Sequence, residues 1–173
     1  MKVYNVHERR LKASPDVVGA LIDNLSGPNE KLWPKGPWPA MEMDSGLRPG
    51  ARGGHGPVRY RVVEYVPQRR AAFEFENTGL TAGLDGWHFF EVAPRRKGAV
   101  LRHVIDADCG FKDWLRWLVM VRPMHNALLE DALDLAQKEV EGHVAKPAKW
   151  GVSVRCIRWL VARKAKRGAE MPK

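Results

Sequence analysis

This 173-residue chain predicts an α+β fold in which a curved antiparallel sheet wraps around a long C-terminal helix, followed by an extra basic helix. Three observations lead there. Strand-like runs of period two succeed one another across residues 58–107 with only short turns between them, the pattern of an antiparallel meander. A stretch of helical period covers residues 111–141. A sheet of about six strands with one short and one long helix buries its apolar face only by curling around the long one.

Taken in order, residues 3–13, VYNVHERRLKA, start as a strand and lead into SPDVVGALIDNLSG. There Ser14 is a good N-cap, Pro15 suits the first helical position and Asp16 complements the helix dipole. Val17, Ala20 and Leu21 recur at helical spacing, and Gly27-Pro28 stops the helix. A Pro- and Gly-rich region follows, with a short strand at Ala40 to Asp44. Residues 50–56, GARGGHG, read as a hairpin loop at a cavity rim with His55 as a lid contact. They do not form a phosphate loop, because Gly56 is followed by Pro57 rather than Lys-Ser/Thr and no helix follows. The meander strands are 58–66, 71–76, 87–92 and 99–107, with Glu74, Glu76 and Glu91 on the outer face opposite Arg59 and Arg61.

Within the long helix, Leu128, Leu129, Ala132, Leu133, Ala136 and Val140 form one apolar stripe, and Glu130, Asp131, Asp134, Lys138 and Glu141 take the solvent side. Before it, residues 112–122 are apolar almost all round, and Pro123 predicts a kink. This makes 112–122 an entrance segment that packs partly on the sheet and partly over a cavity mouth.

The net charge is +9, but residues 144–173 hold nine Lys and Arg against one acid, leaving +1 for the rest. A domain at 1–143 is therefore nearly neutral, which argues against a nucleic-acid partner, and a basic tail occupies 144–173. In the tail Trp150, Val154, Ile157 and Val161 recur at steps of four, three and four among Arg155, Arg158, Arg163 and Lys164. Such a basic amphipathic helix either packs back on the domain or, through residues 150–167, meets an anionic membrane or a partner. Cys109 and Cys156 lack a CxxC spacing, there is no signal-peptide-like start, and no apolar run approaches a membrane span; the expectation is a cytoplasmic protein with free thiols. Nothing in the sequence specifies an oligomeric state.

Four stretches, LKASPDVVGALID, GARGGHGPVRYRVVEYVPQRRAAFEF, GWHFFEVAPRRKGAVLRHVI and RPMHNALLEDALDLA, resemble the START and polyketide-cyclase (SRPBCC) superfamily, the helix-grip fold, over about residues 3–142. The resemblance implies a cavity for an apolar ligand beneath the long helix. It does not name a reaction, because activities in that superfamily differ widely.

Strand alternation places His88, Phe90 and Val92 on one inward face and Leu101, His103 and Ile105 on the next, while His125 shares a helix face with Leu129. Three imidazoles then converge on one space. Trp117 joins them from the entrance segment, and either Tyr60 or Tyr65 points inward depending on register; Tyr60 is the one assigned to the site. The ligand-binding set is therefore His88, Phe90, His103, Leu101, His125, Leu129, Tyr60 and Trp117. Three histidines and a water form a known zinc geometry, but the spacing 88, 103, 125 is no metal motif and no carboxylate pairs with them, so neither metal nor cofactor is assigned. No G-x-S-x-G elbow or other nucleophile is visible, and no catalytic residue is named. Three functions fit: binding of a small apolar ligand, a cyclase or dehydratase using a cavity histidine as general base, and a membrane- or partner-binding module acting through the tail.

Overall fold

The computed structural model describes residues 1–169. Strand β1 (Lys2–Leu11) leads into α1 (Pro15–Asp23), whose Val17 amide donates to the Ser14 hydroxyl, as the cap signal predicts. Six further strands follow: β2 (Met41–Met43), β3 (Arg52–His55), β4 (Val58–Val66), β5 (Arg70–Phe75), β6 (Leu84–Arg95) and β7 (Gly98–Cys109). They form one antiparallel sheet in the order β1-β7-β6-β5-β4-β3-β2. Helix α2 (Phe111–Arg116), a π-helical turn (Trp117–Val121) and α3 (Arg122–Glu141) make one continuous helical run, which closes on Gly142 in the left-handed conformation. Helix α4 (Val152–Ala169) comes last. The architecture is the α+β, curved-sheet and long-helix arrangement the sequence predicts.

Seven strands form rather than about six, because GARGGHG is not a loop. Its residues 52–55 pair with β2 on one side and β4 on the other. The glycines serve close packing: a Cβ at Gly53 would overlap the Glu42 carbonyl oxygen, and one at Gly54 that of Val58. A second difference concerns Tyr60 and Tyr65. A bulge between Val62 and Glu64 changes the parity of β4, so both tyrosines turn toward the core, Tyr60 fully buried and Tyr65 donating to Asp23 of α1 at 2.9 Å.

The strain expected as a kink at Pro123 is taken up one turn earlier. The proline ring conflicts with the carbonyl four residues back, at Val119, and that residue lies inside the wider π turn. The apolar segment then divides. Trp114, Trp117, Leu118 and Val121 pack on Val3, Ile105 and Ala107 of the sheet, whereas Phe111, Leu115 and Val119 stay exposed.

The acidic side of α3 is not simply solvated. Glu130 and Asp134 bind Arg9 at 3.1 and 2.8 Å, Glu130 also meets His7 at 2.7 Å, and Glu141 accepts from the Lys12 amide. Asp131 accepts the indole N–H of Trp38 and of Trp150 at 2.7 and 2.9 Å. The reason is position: α3 lies between β1 on one flank and the Trp38 and α4 segments on the other, so its polar sides meet protein. On the outer sheet face Arg61 pairs with Glu74 as expected, but Glu76 takes Arg52 and Glu91 takes Arg70 and Arg102. Arg59 turns to the Gly56 and Val58 carbonyls instead.

Helix α1 sits so close to the β4–β5 turn that a Cβ at Gly19 would overlap the Gln68 backbone. Gly19→Ala is therefore expected to destabilise the fold by about 2 kcal/mol, since the obstacle is backbone and cannot rotate away. Urea unfolding at neutral pH checks this; an unchanged midpoint would show that the helix shifts at no cost.

Candidate functional site

Curvature of the sheet leaves a cavity of about 670 Å³ between β3–β7 and the π turn and α3. Most of its wall is aliphatic or aromatic: Leu84 and Ile105 from the sheet, Val121, Met124, Leu128 and Leu129 from the helical run, and Trp33, Trp38 and Trp117 around them. Gly36, Pro37, Pro39, Pro57 and Met120 belong to the wall and are also solvent-exposed, which marks the mouth. Helix α4 adds Ile157 and Arg158 to the wall.

Of the eight residues the sequence nominates, His88, His103, His125, Leu129 and Trp117 line this space. Phe90, Leu101 and Tyr60 point to the same side of the sheet but lie behind the wall, each at most 1% exposed, as core that supports it. The physical reason is that inward alternation selects a sheet face, and α1 together with the lower part of α3 covers part of that face directly. Tyr60 still touches the site: its hydroxyl lies 3.1 Å from His55 Nδ1 and its ring packs edge-on to His88 at 4.7 Å.

The three predicted histidines do converge. His88 Nδ1 lies 3.3 Å from His103 Nε2, and the His103 and His125 ring centroids are 5.2 Å apart. Burial holds all three far on the neutral side, with His88 lowered to about 3. His55 is lowered to about 4, first by burial and then by the Arg59 charge. Neutral rings give the His88–His103 pair a definite property. One ring donates to the other; whichever does, the pair retains one N–H and one lone pair without partners. These are His88 Nε2 and His103 Nδ1, and His125 Nδ1 is a third buried nitrogen with no partner. All three nitrogens are shielded from the open cavity by neighbouring side chains, and an unmet polar group of this kind costs about 1–3 kcal/mol.

Sequence reading missed two contributors. His7 of β1 extends the row of rings, 5.9 Å from His125, and bonds Asn126 and Glu130. The signal was present, since Asn5, His7 and Arg9 alternate on one face of β1 as Asn126, Glu130 and Asp134 do on α3. Arg158 carried no local signal, because its place in the wall depends on where α4 docks. His55, expected as a lid contact, stands in the wall itself, its ring tilted against that of Trp33 with the centroids 4.8 Å apart. Among the described residues no group of three or more His, Cys, Asp or Glu is arranged to hold a metal ion.

A curved sheet gripping a long helix over an apolar cavity defines a ligand-binding class of fold. The chain belongs to the polyketide cyclase / dehydrase and lipid transport family, which it matches over residues 5–141. No curated protein matches its sequence. Among solved structures it is similar to norcoclaurine synthase from Thalictrum flavum in complex with dopamine and hydroxybenzaldehyde, with TM-score 0.63 and 14% identity over 84% of this chain and 90% of that one. It is also similar to CalU16 from Micromonospora echinospora, with TM-score 0.55 and 16% identity over 97% and 89% of the two chains. A solution structure from Thermobifida fusca gives TM-score 0.57 and 18% identity over 82% and 96%. At these identities the likeness establishes the fold alone.

Proposed function

We propose that this protein binds a small apolar ligand, lipid-like or aromatic and polyketide-like, in the cavity between sheet and long helix. The observation that carries this reading is a cavity of about 670 Å³ whose wall is almost wholly apolar. Burying about 300 Å² of ligand apolar surface would contribute roughly 7 kcal/mol at 25 cal/mol per Å², before the entropy of association is subtracted. The His88, His103 and His125 rings contribute flat, neutral surface to the wall. Trp33, Trp38 and Trp117 line the cavity, so occupancy is readable in their fluorescence. Native mass spectrometry of the purified protein should show a co-purified lipophile, and the neutral probe N-phenyl-1-naphthylamine should quench tryptophan emission with micromolar affinity. No adduct and no quenching would end this reading.

The alternative, a cyclase or dehydratase with a cavity histidine as general base, ranks second for a physical reason. An imidazole lowered to about 3 is a weak base, well below the value near 7 that general-base catalysis at neutral pH favours. Loss of turnover on replacing His88, His103 or His125 singly by Ala, with probe binding retained, would reverse that ranking. A membrane role for residues 150–167 draws on Arg155, Trp159, Leu160 and Arg163, which are exposed on α4. The side chains of Val161 and Lys164, and residues 170–173, lie outside the described residues. No helix among the described residues is long and apolar enough to cross a membrane. Sedimentation with anionic vesicles, compared with and without residues 144–173, tests surface contact.

A further inference from the structure

Helix α4 closes one side of the cavity with a group unlike the rest of the wall. Among the described residues Arg158 is the one Lys, Arg, Asp or Glu in the wall, in a space otherwise lined by apolar side chains, Thr81 and neutral histidines. Its guanidinium lies over the rings of Trp38 and Trp150, 4.8 and 4.4 Å from their centroids. Both indoles are themselves fixed, donating to the same Asp131 oxygen on α3. These cation–π contacts hold the guanidinium in place without using its N–H groups, and among the described residues Arg158 has no hydrogen bond or ion pair. A positioned cation with unused donors thus stands at one side of an apolar cavity. Its helix also carries the exposed Arg155 and Arg163, which add to the positive field there.

We propose that Arg158 recognises the acidic head of an amphipathic ligand, so that the occupant is a carboxylate whose apolar body enters the cavity. This rests on the cavity reading above and narrows its ligand class. Charge and geometry both point to an anion: a planar fork with free donors matches a carboxylate in two bonds, and the partly desolvated site strengthens that pairing over a neutral hydroxyl. Asp131 forms no ion pair with Arg158 among the described residues; one of its oxygens accepts from the two indoles instead.

The test compares dodecanoate with dodecanol at pH 7.5, read by tryptophan fluorescence on the full chain. The wild type should bind dodecanoate at least about tenfold more tightly than dodecanol. Arg158→Gln should bring that ratio close to one, and Arg155→Gln, which removes the same charge from the exposed side of α4, should leave the ratio intact. Equal wild-type affinities for the two ligands would overturn the proposal whatever the variants do, and so would a ratio retained in Arg158→Gln. A ratio lost equally in Arg155→Gln would overturn it in favour of a diffuse field. Dodecanol binding without carboxylate preference leaves the cavity reading standing and removes this one; binding of neither ligand removes both.

Discussion

Acidification from pH 7 to pH 5 should cost this protein roughly 2 kcal/mol of stability from His88 alone, with His103 adding in the same direction. In the folded chain burial keeps both rings unprotonated, with His88 lowered to about 3 and His103 well below its ordinary value. In the unfolded chain each takes a proton near 6.5. Between 6.5 and the folded value the unfolded state therefore binds more protons than the native one. Stability is complete above 6.5 and declines as pH falls, by about 1.4 kcal/mol per pH unit for each ring. At pH 5 that amounts to about 2 kcal/mol for His88. His125 and His55, lowered for the same first reason, add to the slope. Urea titrations at pH 7, 6 and 5 measure the effect, and His103→Gln should reduce the pH slope by about one proton. A stability flat between pH 7 and pH 5 would mean that the row accepts charge in place, which contradicts a dry apolar site.

Trp150→Ala should release α4 from the domain. Three contacts end at this ring: its N–H to Asp131, its edge contact with Trp38 at 5.6 Å, and its cation–π contact with Arg158. Val154 of α4, 5% exposed, packs in the main core beside them. Losing a large half-buried aromatic with its hydrogen bond is worth about 3 kcal/mol, so amide protection in residues 152–160 should fall roughly a hundredfold while α3 stays protected. Trp159→Ala, on the exposed side of the same helix at 58% exposure, should change neither. Undiminished protection in Trp150→Ala would show that this aromatic clamp does not hold α4. Release would also withdraw Ile157 and Arg158 from the cavity wall and so abolish the carboxylate preference.

Local pattern makes much of the fold legible in the sequence. Alternation in WHFFEV and AVLRHVIDA placed His88 and His103 inward, and the stripe from Leu128 to Val140 gave α3 its buried face, because period-two and period-3.6 repeats are properties of neighbouring residues. Short-range pattern failed where one backbone meets another. GARGGHG has loop composition, but its glycines are there so that β2 and β4 can approach. Tyr65 has outward parity, and a single bulge reverses it. Glu130, Asp131 and Asp134 look like a solvated helix side, and they bind Arg9, Trp38 and Trp150.

The sequence by itself determined the element order, the capping of α1, the inward faces of β6, β7 and α3, and hence the three imidazoles that meet over the sheet. Those follow from chain stereochemistry and hydrophobic periodicity, which act over a few residues. Only the tertiary structure decided which inward residues line a cavity and which fill the core, since Phe90, Leu101 and Leu129 share the same pattern and only Leu129 reaches the open space. It also decided the entry of Arg158 into the wall, because the docking of α4 depends on Trp38, Asp131 and Trp150, three residues from separate parts of the chain. Burial is a property of the packed whole, and so is the neutrality it imposes on the histidines.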